Sequence, residues 1–253
     1  MTVLVAVALS TGLALVGRAI GWLTPRGTIA AALVGAAIFA AGGVPGAALL
    51  AMFFVSGSAL TYRLGTSRFQ LPQAERRGRT GRQVLANGGW AAVGALLLVV
   101  GDGGWAVMAG ALASAQADTW ATEIGTRSTQ PTRLITSGRP VTPGTSGGVS
   151  PPGTVAGLLG AAGMGGVALL VGLPSSAAMA ATAGGIIGML ADSILGATIQ
   201  GVYYCGRCAA QTERAVHHCG ERARPVRGLR WLGNDGVNFV ATGLGAAVAL
   251  ALY

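Results

Sequence analysis

Residues 176–199 read Ser176-Ala-Ala-Met-Ala-Ala-Thr-Ala-Gly184-Gly-Ile-Ile-Gly188-Met-Leu-Ala-Asp192-Ser-Ile-Leu-Gly196-Ala-Thr-Ile199. A helix of this length rises roughly 36 Å, enough to cross the ~30 Å hydrocarbon core of a bilayer. Only Asp192 in it is charged, so the stretch predicts a membrane-crossing helix. Asp192 is then an anomaly, because an ionised carboxylate inside a bilayer costs at least ~2.5 kcal/mol. Gly184 and Gly188 form a GxxxG pair, which lets a neighbouring helix approach closely. Helical spacing puts Asp192, Gly196 and Gln200 on one stripe, directed into a bundle interior.

Working outward, similar stretches recur near Val3–Gly17, Thr28–Ala41, Pro45–Leu60, Val84–Val100, Gly104–Ala121, Thr154–Val171 and Val237–Leu252. With Ser176–Ile199 they give an all-α bundle of about eight transmembrane spans, seven being the nearest alternative. Thr28–Ala41 is the weakest span and the candidate for a re-entrant segment. The first stretch has no basic region before its apolar core, so it reads as a retained helix and not a cleaved signal. Residues 1–253 form one integral-membrane domain, with a Cys/His loop at 201–235. Composition agrees: 52% of residues are apolar and 10% charged, at a mean hydropathy of +0.60. Soluble domains carry about 25% charged residues. Disorder and a nucleic-acid-binding tail are excluded, despite a net charge of +9. All 17 basic residues are Arg. Without Lys, a Walker A loop and Schiff-base chemistry are excluded too.

The arginines segregate. Arg18 and Arg26 follow the first span, and Arg63, Arg68, Arg76, Arg77, Arg79 and Arg82 follow the third. Arg127, Arg133 and Arg139 follow the fifth, and Arg207, Arg214, Arg222, Arg224, Arg227 and Arg230 follow the seventh. The opposite side has only the tight connections Gly42-Gly43, Gly101-Asp102-Gly103 and Gly172-Leu173-Pro174. Positive-inside logic puts the Arg loops in the cytoplasm and both termini outside. Gly153/Gly157 and Ala113/Ala117/Ala121 repeat the small-residue spacing and read as helix-packing faces. Ala117-Asp118-Thr119 echoes Ala191-Asp192-Ser193 at the end of another span.

Polar residues gather at the cytoplasmic helix ends: Asp118, Glu123, Asp192 and Gln200, with Arg82, Gln83, Asn87, Ser150, Asn234, Asp235 and Asn238. A transporter more typically keeps its site near the midplane. This arrangement suits a lipid headgroup meeting a soluble cosubstrate at the membrane surface. Asp118 and Glu123 are five apart and converge on an ion only if their helix ends or unwinds around Thr122. The segment Arg139-Pro-Val-Thr142-Pro-Gly144-Thr145-Ser146-Gly147-Gly148-Val-Ser150 is the phosphate-binding candidate. Its glycines free backbone amides to approach an anion, its hydroxyls donate, and a helix N-terminus follows. Cys205, Cys208 and Cys219 with His217 or His218 have the spacing of a tetrahedral Cys₃His zinc site.

Five motifs occur in order: Arg82-Gln-Val-Leu-Ala-Asn87-Gly, Ala117-Asp-Thr-Trp-Ala-Thr-Glu123-Ile-Gly125, Thr142-Pro-Gly-Thr-Ser-Gly-Gly-Val-Ser150, Ala191-Asp-Ser-Ile-Leu-Gly196-Ala-Thr-Ile-Gln200 and Trp231-Leu-Gly-Asn234-Asp-Gly-Val-Asn238. From about Trp22 to the C-terminus the chain resembles the integral-membrane family that includes plant phytyl-phosphate kinase and vertebrate transmembrane relatives. It departs at Gly233, where that pattern has Asn. The resemblance implies a role in isoprenoid metabolism: phosphoryl transfer from a nucleoside triphosphate, with CTP expected, to a prenyl monophosphate. It implies Asp118, Glu123 and Asp192 on Mg²⁺, and Arg139, Thr142, Gly144, Thr145, Ser146, Gly147, Gly148 and Ser150 on the nucleotide phosphates. Arg82, Asn87, Gln200, Asn234, Asp235 and Asn238 would meet the lipid phosphate. The expected partners are membrane lipids, the two substrates and, in an oligomer, further copies of the chain; nucleic acid is not among them. The expected location is the cell inner membrane. The competing function is a non-enzymatic carrier or flippase for lipid phosphates, which needs the same Arg and Asp residues.

Overall fold

The computed structural model describes residues 2–63 and 78–253. Among them lie seven helices: α1 (Val3–Ala19), α2 (Pro25–Arg63), α3 (Gly81–Leu97), α4 (Gly103–Gly125), α5 (Pro151–Leu170), α6 (Ser175–Thr198) and α7 (Asn234–Leu252). Arg68, Arg76 and Arg77 of the expected Arg loop lie outside the described residues. Among the described residues four helices are long and apolar enough to cross a membrane: Pro25–Tyr62, Pro151–Leu170, Ser175–Thr198 and Asn234–Leu252.

α2 is not one rod. Gly43 adopts φ 54 and ψ −145, outside helical space, and Pro45 follows it. A methyl at Gly46 would stand 3.0 Å from the Ile38 carbonyl oxygen, and one at Gly35 would touch Leu50. In a straight helix residues 35 and 50 would be about 22 Å apart. The chain therefore doubles back at Gly43, and the Tyr62 hydroxyl reaches the Gly21 carbonyl at 2.6 Å. The two legs correspond to the stretches Thr28–Ala41 and Pro45–Leu60 read from sequence.

α4 is the axis of the bundle and packs against α2, α3, α5, α6 and α7. Its residues from Ala106 through Ala117 are all buried and mostly Ala, Gly or Ser. Large apolar side chains face outward instead: Leu4 is 81% exposed, Leu13 71% and Leu170 87%. Small residues inside and bulky ones outside is the pattern of a bundle in lipid, where packing and not apolar burial drives helix association. The glycine faces act as expected. A Cβ at Gly153 would lie 2.8 Å from the Ala121 carbonyl oxygen and one at Gly157 3.0 Å from that of Ala117. On α6, Gly185 presses on Ala113, at 2.8 Å for the same test atom, and Gly188 on Ser114 and Ala241. These contacts draw α4, α5 and α6 together.

The all-α expectation needs one amendment. The two polar loops carry short antiparallel sheets. β1 (Arg133–Leu134) pairs with β2 (Gly148–Val149), and β3 (Val202–Cys205) lies between β4 (Ala210–Thr212) and β5 (Arg224–Arg227). Val-Tyr-Tyr-Cys has the β-branched and aromatic content that favours a strand. Each sheet fixes a loop above the helix ends.

Candidate functional site

Where α4, α5 and α6 end together, a cavity of about 130 Å³ opens. Asp118 and Asp192 line it with Thr145, Ser146, Gly147, Gly148, Ser150, Gln200, Glu213 and Asn234. At that size it has room for a small polar group or an ion and is smaller than whole small-molecule pockets, which run ~300–1,000 Å³. Asp118 makes no hydrogen bond or ion pair among the described residues, and Asp192 lies within electrostatic range of both Asp118 and Glu213. Among the described residues no Arg lines this cavity, and neither Asp118 nor Asp192 forms an ion pair. Asn238, with its amide oriented to suit its neighbours, donates to Asp192 Oδ2 at 2.8 Å and thereby aims it.

The Gly/Thr loop enters from the side. The β1–β2 ladder closes it, and the Ile135 N–H donates to the Gly147 carbonyl at 2.9 Å. Gly147, at φ 78, lies so close to α6 that a Cβ there would meet Ala197 backbone at 2.5 Å. Among the described residues the main-chain N–H groups of Ser146 and Gly147 have no acceptor. Consecutive free amides at a left-handed glycine form a nest suited to an anion. Ser150 caps α5 through a hydrogen bond from the Gly153 N–H, with Pro151 and Pro152 in the first turn. That helix N-terminus also lines the cavity through Gly153 and Thr154. Gln200, fully buried, donates from Nε2 to Ser146 Oγ at 3.2 Å. The Ser146 hydroxyl in turn donates to Glu213 Oε1.

Only some of the other expected residues reach this centre. Arg139 and Thr142 are exposed and do not line the cavity; Gly144 does. Arg82 lies within electrostatic range of Asp235. Asn87 Nδ2 donates to its own helix at the Gln83 carbonyl, 2.9 Å away. The first turn of α7 thus joins the two groups, Asn234 and Asn238 toward the cavity and Asp235 toward Arg82. Glu123 is not brought in. α4 stays helical through Gly125, so Glu123 emerges on another face, paired with Arg127 at 3.1 Å and accepting from Thr61 Oγ1 at 2.8 Å.

The second centre is in the β3–β5 loop. One ligand atom from each of Cys205, Cys208, His217 and Cys219 falls within 4.8 Å of every other. Cys205 and Cys219 sulfurs are 3.7 Å apart, and His217 Nδ1 is 3.2 Å from Cys219 Sγ. The cysteines are free, since a disulfide would bring its sulfurs to about 2.05 Å. Tetrahedral zinc–thiolate geometry sets sulfurs about 3.8 Å apart, so this cluster has the donors and spacing to hold a metal such as zinc. The His217 imidazole pulls the Cys219 thiol down to about 6, toward the thiolate a metal needs. Its hydrogen bond with Cys219 pushes Cys208 up to about 11. His218 lies against His217 with its ring tilted by 45°, ring centroids 3.8 Å apart, and is outside the cluster. Geometry thus selects His217 from the pair that sequence spacing left open.

Residues 8–246 match the family described as integral membrane protein DUF92. The chain belongs to the DUF92 family. It is a multi-pass integral membrane protein on that footing. It is 32% identical to Protein PGR of Arabidopsis thaliana over 249 residues, covering 85% of this chain and 83% of that one. It is 31% identical over 241 residues to Protein VTE6, chloroplastic, of Arabidopsis thaliana, covering 91% of this chain and 65% of that one. Uncharacterized membrane protein MJ0933 of Methanocaldococcus jannaschii is 29% identical over 206 residues, 81% of this chain and 75% of its own length. No solved structure matches the chain significantly.

Two residues of this DUF92 chain that matter to the cavity went unnoticed in its sequence. Glu213 reaches the cavity from the Cys/His loop, where it, Glu221 and Asp235 are the only acids among six Arg. An acid kept in so basic a segment was the available signal. Arg227 donates to the Ala197 and Gly196 carbonyls at 2.7 and 2.8 Å, capping the C-terminal end of α6 beside the cavity. Nothing in its spacing distinguished it from its neighbours.

Proposed function

We propose that this protein is a phosphotransferase of the membrane surface, which uses a nucleoside triphosphate, preferentially CTP, to convert a prenyl monophosphate into the diphosphate. The observation that carries this is the juxtaposition of Asp118 and Asp192, unneutralised in the cavity, with the free amides of the Ser146–Gly147 loop. The likeness to a family that includes plant phytyl-phosphate kinase supplies the substrate class. Phosphoryl transfer asks for positioning and charge stabilisation and for little covalent chemistry. The oxygen donors of Asp118 and Asp192 fit Mg²⁺, which when bound supplies neutralisation of the phosphate charge. The Ser146 and Gly147 amides and the α5 N-terminus would cradle the nucleotide phosphates. Arg82, Asn87 and the first turn of α7 would receive the lipid phosphate. An oxygen of that phosphate attacks the γ-phosphorus, the bond to the β,γ-bridging oxygen breaks, and the nucleoside diphosphate leaves. A phosphate monoester has its second pKa near ~6, so the nucleophile is already deprotonated at neutral pH and needs no general base.

The same reading assigns zinc to Cys205, Cys208, His217 and Cys219 as a structural ion. It also assigns eight crossings, with the two legs of α2 each traversing the membrane. The Arg loops then lie in the cytoplasm, with both termini outside the inner membrane.

Purified protein is incubated in detergent with CTP or ATP, Mg²⁺ and a set of prenyl phosphates. The expected result is diphosphate formation, lowered about 10²–10³-fold by Asp118→Asn on the scale of lost transition-state charge stabilisation. Asp192→Asn should act alike. Both variants should fold, because desolvating those carboxylates was unfavourable from the outset. A carrier would consume no nucleotide in detergent, so a parent protein inactive on every prenyl phosphate overturns the kinase reading.

A further inference from the structure

The Cys/His loop does more than hold an ion. β3 leaves the end of α6 through Gln200, whose side chain bonds Ser146. β5 returns through Arg227, whose guanidinium caps that same helix end. The Tyr203 hydroxyl donates to the Arg230 carbonyl at 2.8 Å, and the Gly201 N–H to the Leu232 carbonyl at 2.8 Å, which ties the base of the loop to the start of α7. Glu213 directly follows β4, between the Cys205/Cys208 pair and His217/Cys219. Its carboxylate accepts from the Ser146 hydroxyl at the mouth of the Asp118/Asp192 cavity. The four metal-ligating residues bracket Glu213 on both sides, so an ion held there fixes the segment that presents it.

We propose that the Cys₃His loop is a metal-locked arm that positions Glu213 at the cavity as its third carboxylate, so that occupancy of the arm and binding in the cavity are coupled. This rests on the phosphotransferase reading only for the identity of the cavity's ligands; the coupling itself follows from the arm's attachments. A carboxylate on Ser146 orients the hydroxyl of the phosphate loop, and its charge adds to those of Asp118 and Asp192 in drawing a divalent cation. Groups that hydrogen-bond the lining of a metal site and hold it in place change metal affinity by about 10–100-fold when removed.

The test uses the full chain in detergent with Mn²⁺ as the cavity probe, free Mn²⁺ being read by electron paramagnetic resonance and bound zinc by elemental analysis. The parent, Glu213→Gln, Cys208→Ser and the double variant form a cycle. Glu213→Gln is expected to weaken Mn²⁺ binding at least about tenfold with zinc content unchanged, and Glu213→Asp to recover part of it. Cys208→Ser is expected to lose zinc and weaken Mn²⁺ binding, with no further loss in the double variant, since coupled residues are non-additive. Parental Mn²⁺ affinity in zinc-loaded Glu213→Gln overturns the proposal, as does a Cys208→Ser effect that adds in full to Glu213→Gln. A parent that binds Mn²⁺ with this coupling but transfers no phosphoryl group sinks the kinase reading and leaves the arm standing. A parent that transfers phosphate, with Glu213→Gln unaltered in Mn²⁺ binding and turnover, sinks the arm alone.

Discussion

Gly147→Ala tests whether the Ser146–Gly147 loop must lie directly on α6. Two costs add at this position. An L-residue at φ 78 is in left-handed space, which costs about 1–2 kcal/mol without a glycine. The new methyl would also lie 2.5 Å from both Cα and N of Ala197, against an ordinary contact of 3.4–4 Å. Because the obstacle is helix backbone, no rotamer change relieves it, and the loop must withdraw by roughly 1 Å. Overpacking of this kind costs about 1–3 kcal/mol, for a sum of about 2–5 kcal/mol. A displacement of ~1 Å between catalytic groups is enough to lower turnover about 10²-fold. Gly144→Ala separates the two effects: Gly144 has φ 86, yet a Cβ there would meet only Thr126 Cγ2 at 3.9 Å. It should pay the strain and keep the loop in place. Thermal unfolding in detergent and turnover of CTP with a prenyl phosphate are measured on both. The reasoning fails if Gly147→Ala turns over at the parental rate, or if Gly144→Ala loses as much activity, for then strain and not the close approach is responsible.

The ligand assignment predicts that His217→Ala drops bound zinc from about one per chain toward zero, whereas His218→Ala, outside the cluster, keeps it; elemental analysis decides, and equal zinc in both variants refutes the choice of His217. The topology predicts that a membrane-impermeant thiol reagent applied to intact cells labels Val44→Cys, at the α2 turn, and Pro174→Cys, but not Ser137→Cys. Val44 is 72% exposed, so no neighbouring helix covers it. Protection of Val44→Cys with labelling of Pro174→Cys would make the α2 hairpin re-entrant instead of a pair of crossings.

The parts of this molecule that were legible from residues alone are those set by local physics. An apolar run announces its helix wherever it stands, and Gly42-Gly43 with Pro45 marks the reversal in α2 because a helix cannot continue through that backbone. Asp118 and Asp192 were visible because charge in an apolar helix is conspicuous on its own. Glu123 was harder. Five residues on from Asp118 it lies about 140° around a helix, and its fate depended on whether α4 unwound at Thr122. It does not, because Gly125 packs against Ser150 and Gly153, where a Cβ would stand 3.0 Å from the serine oxygen. Helix continuity therefore hangs on a contact between segments far apart in sequence. Glu213, Arg227 and the choice of His217 depend likewise on how a basic loop folds over a helix end, through the β3–β5 pairing and the His217 N–H donating to the Glu221 carbonyl at 2.9 Å. The glycines join the two kinds of information. Gly153, Gly157, Gly185 and Gly188 do no chemistry, yet each removes the side chain that would hold α4 off its neighbours. The interaxial spacing they permit is what brings Asp118 and Asp192 into one cavity, so a bulky residue at Gly185 should disable the site while leaving every polar group in it intact.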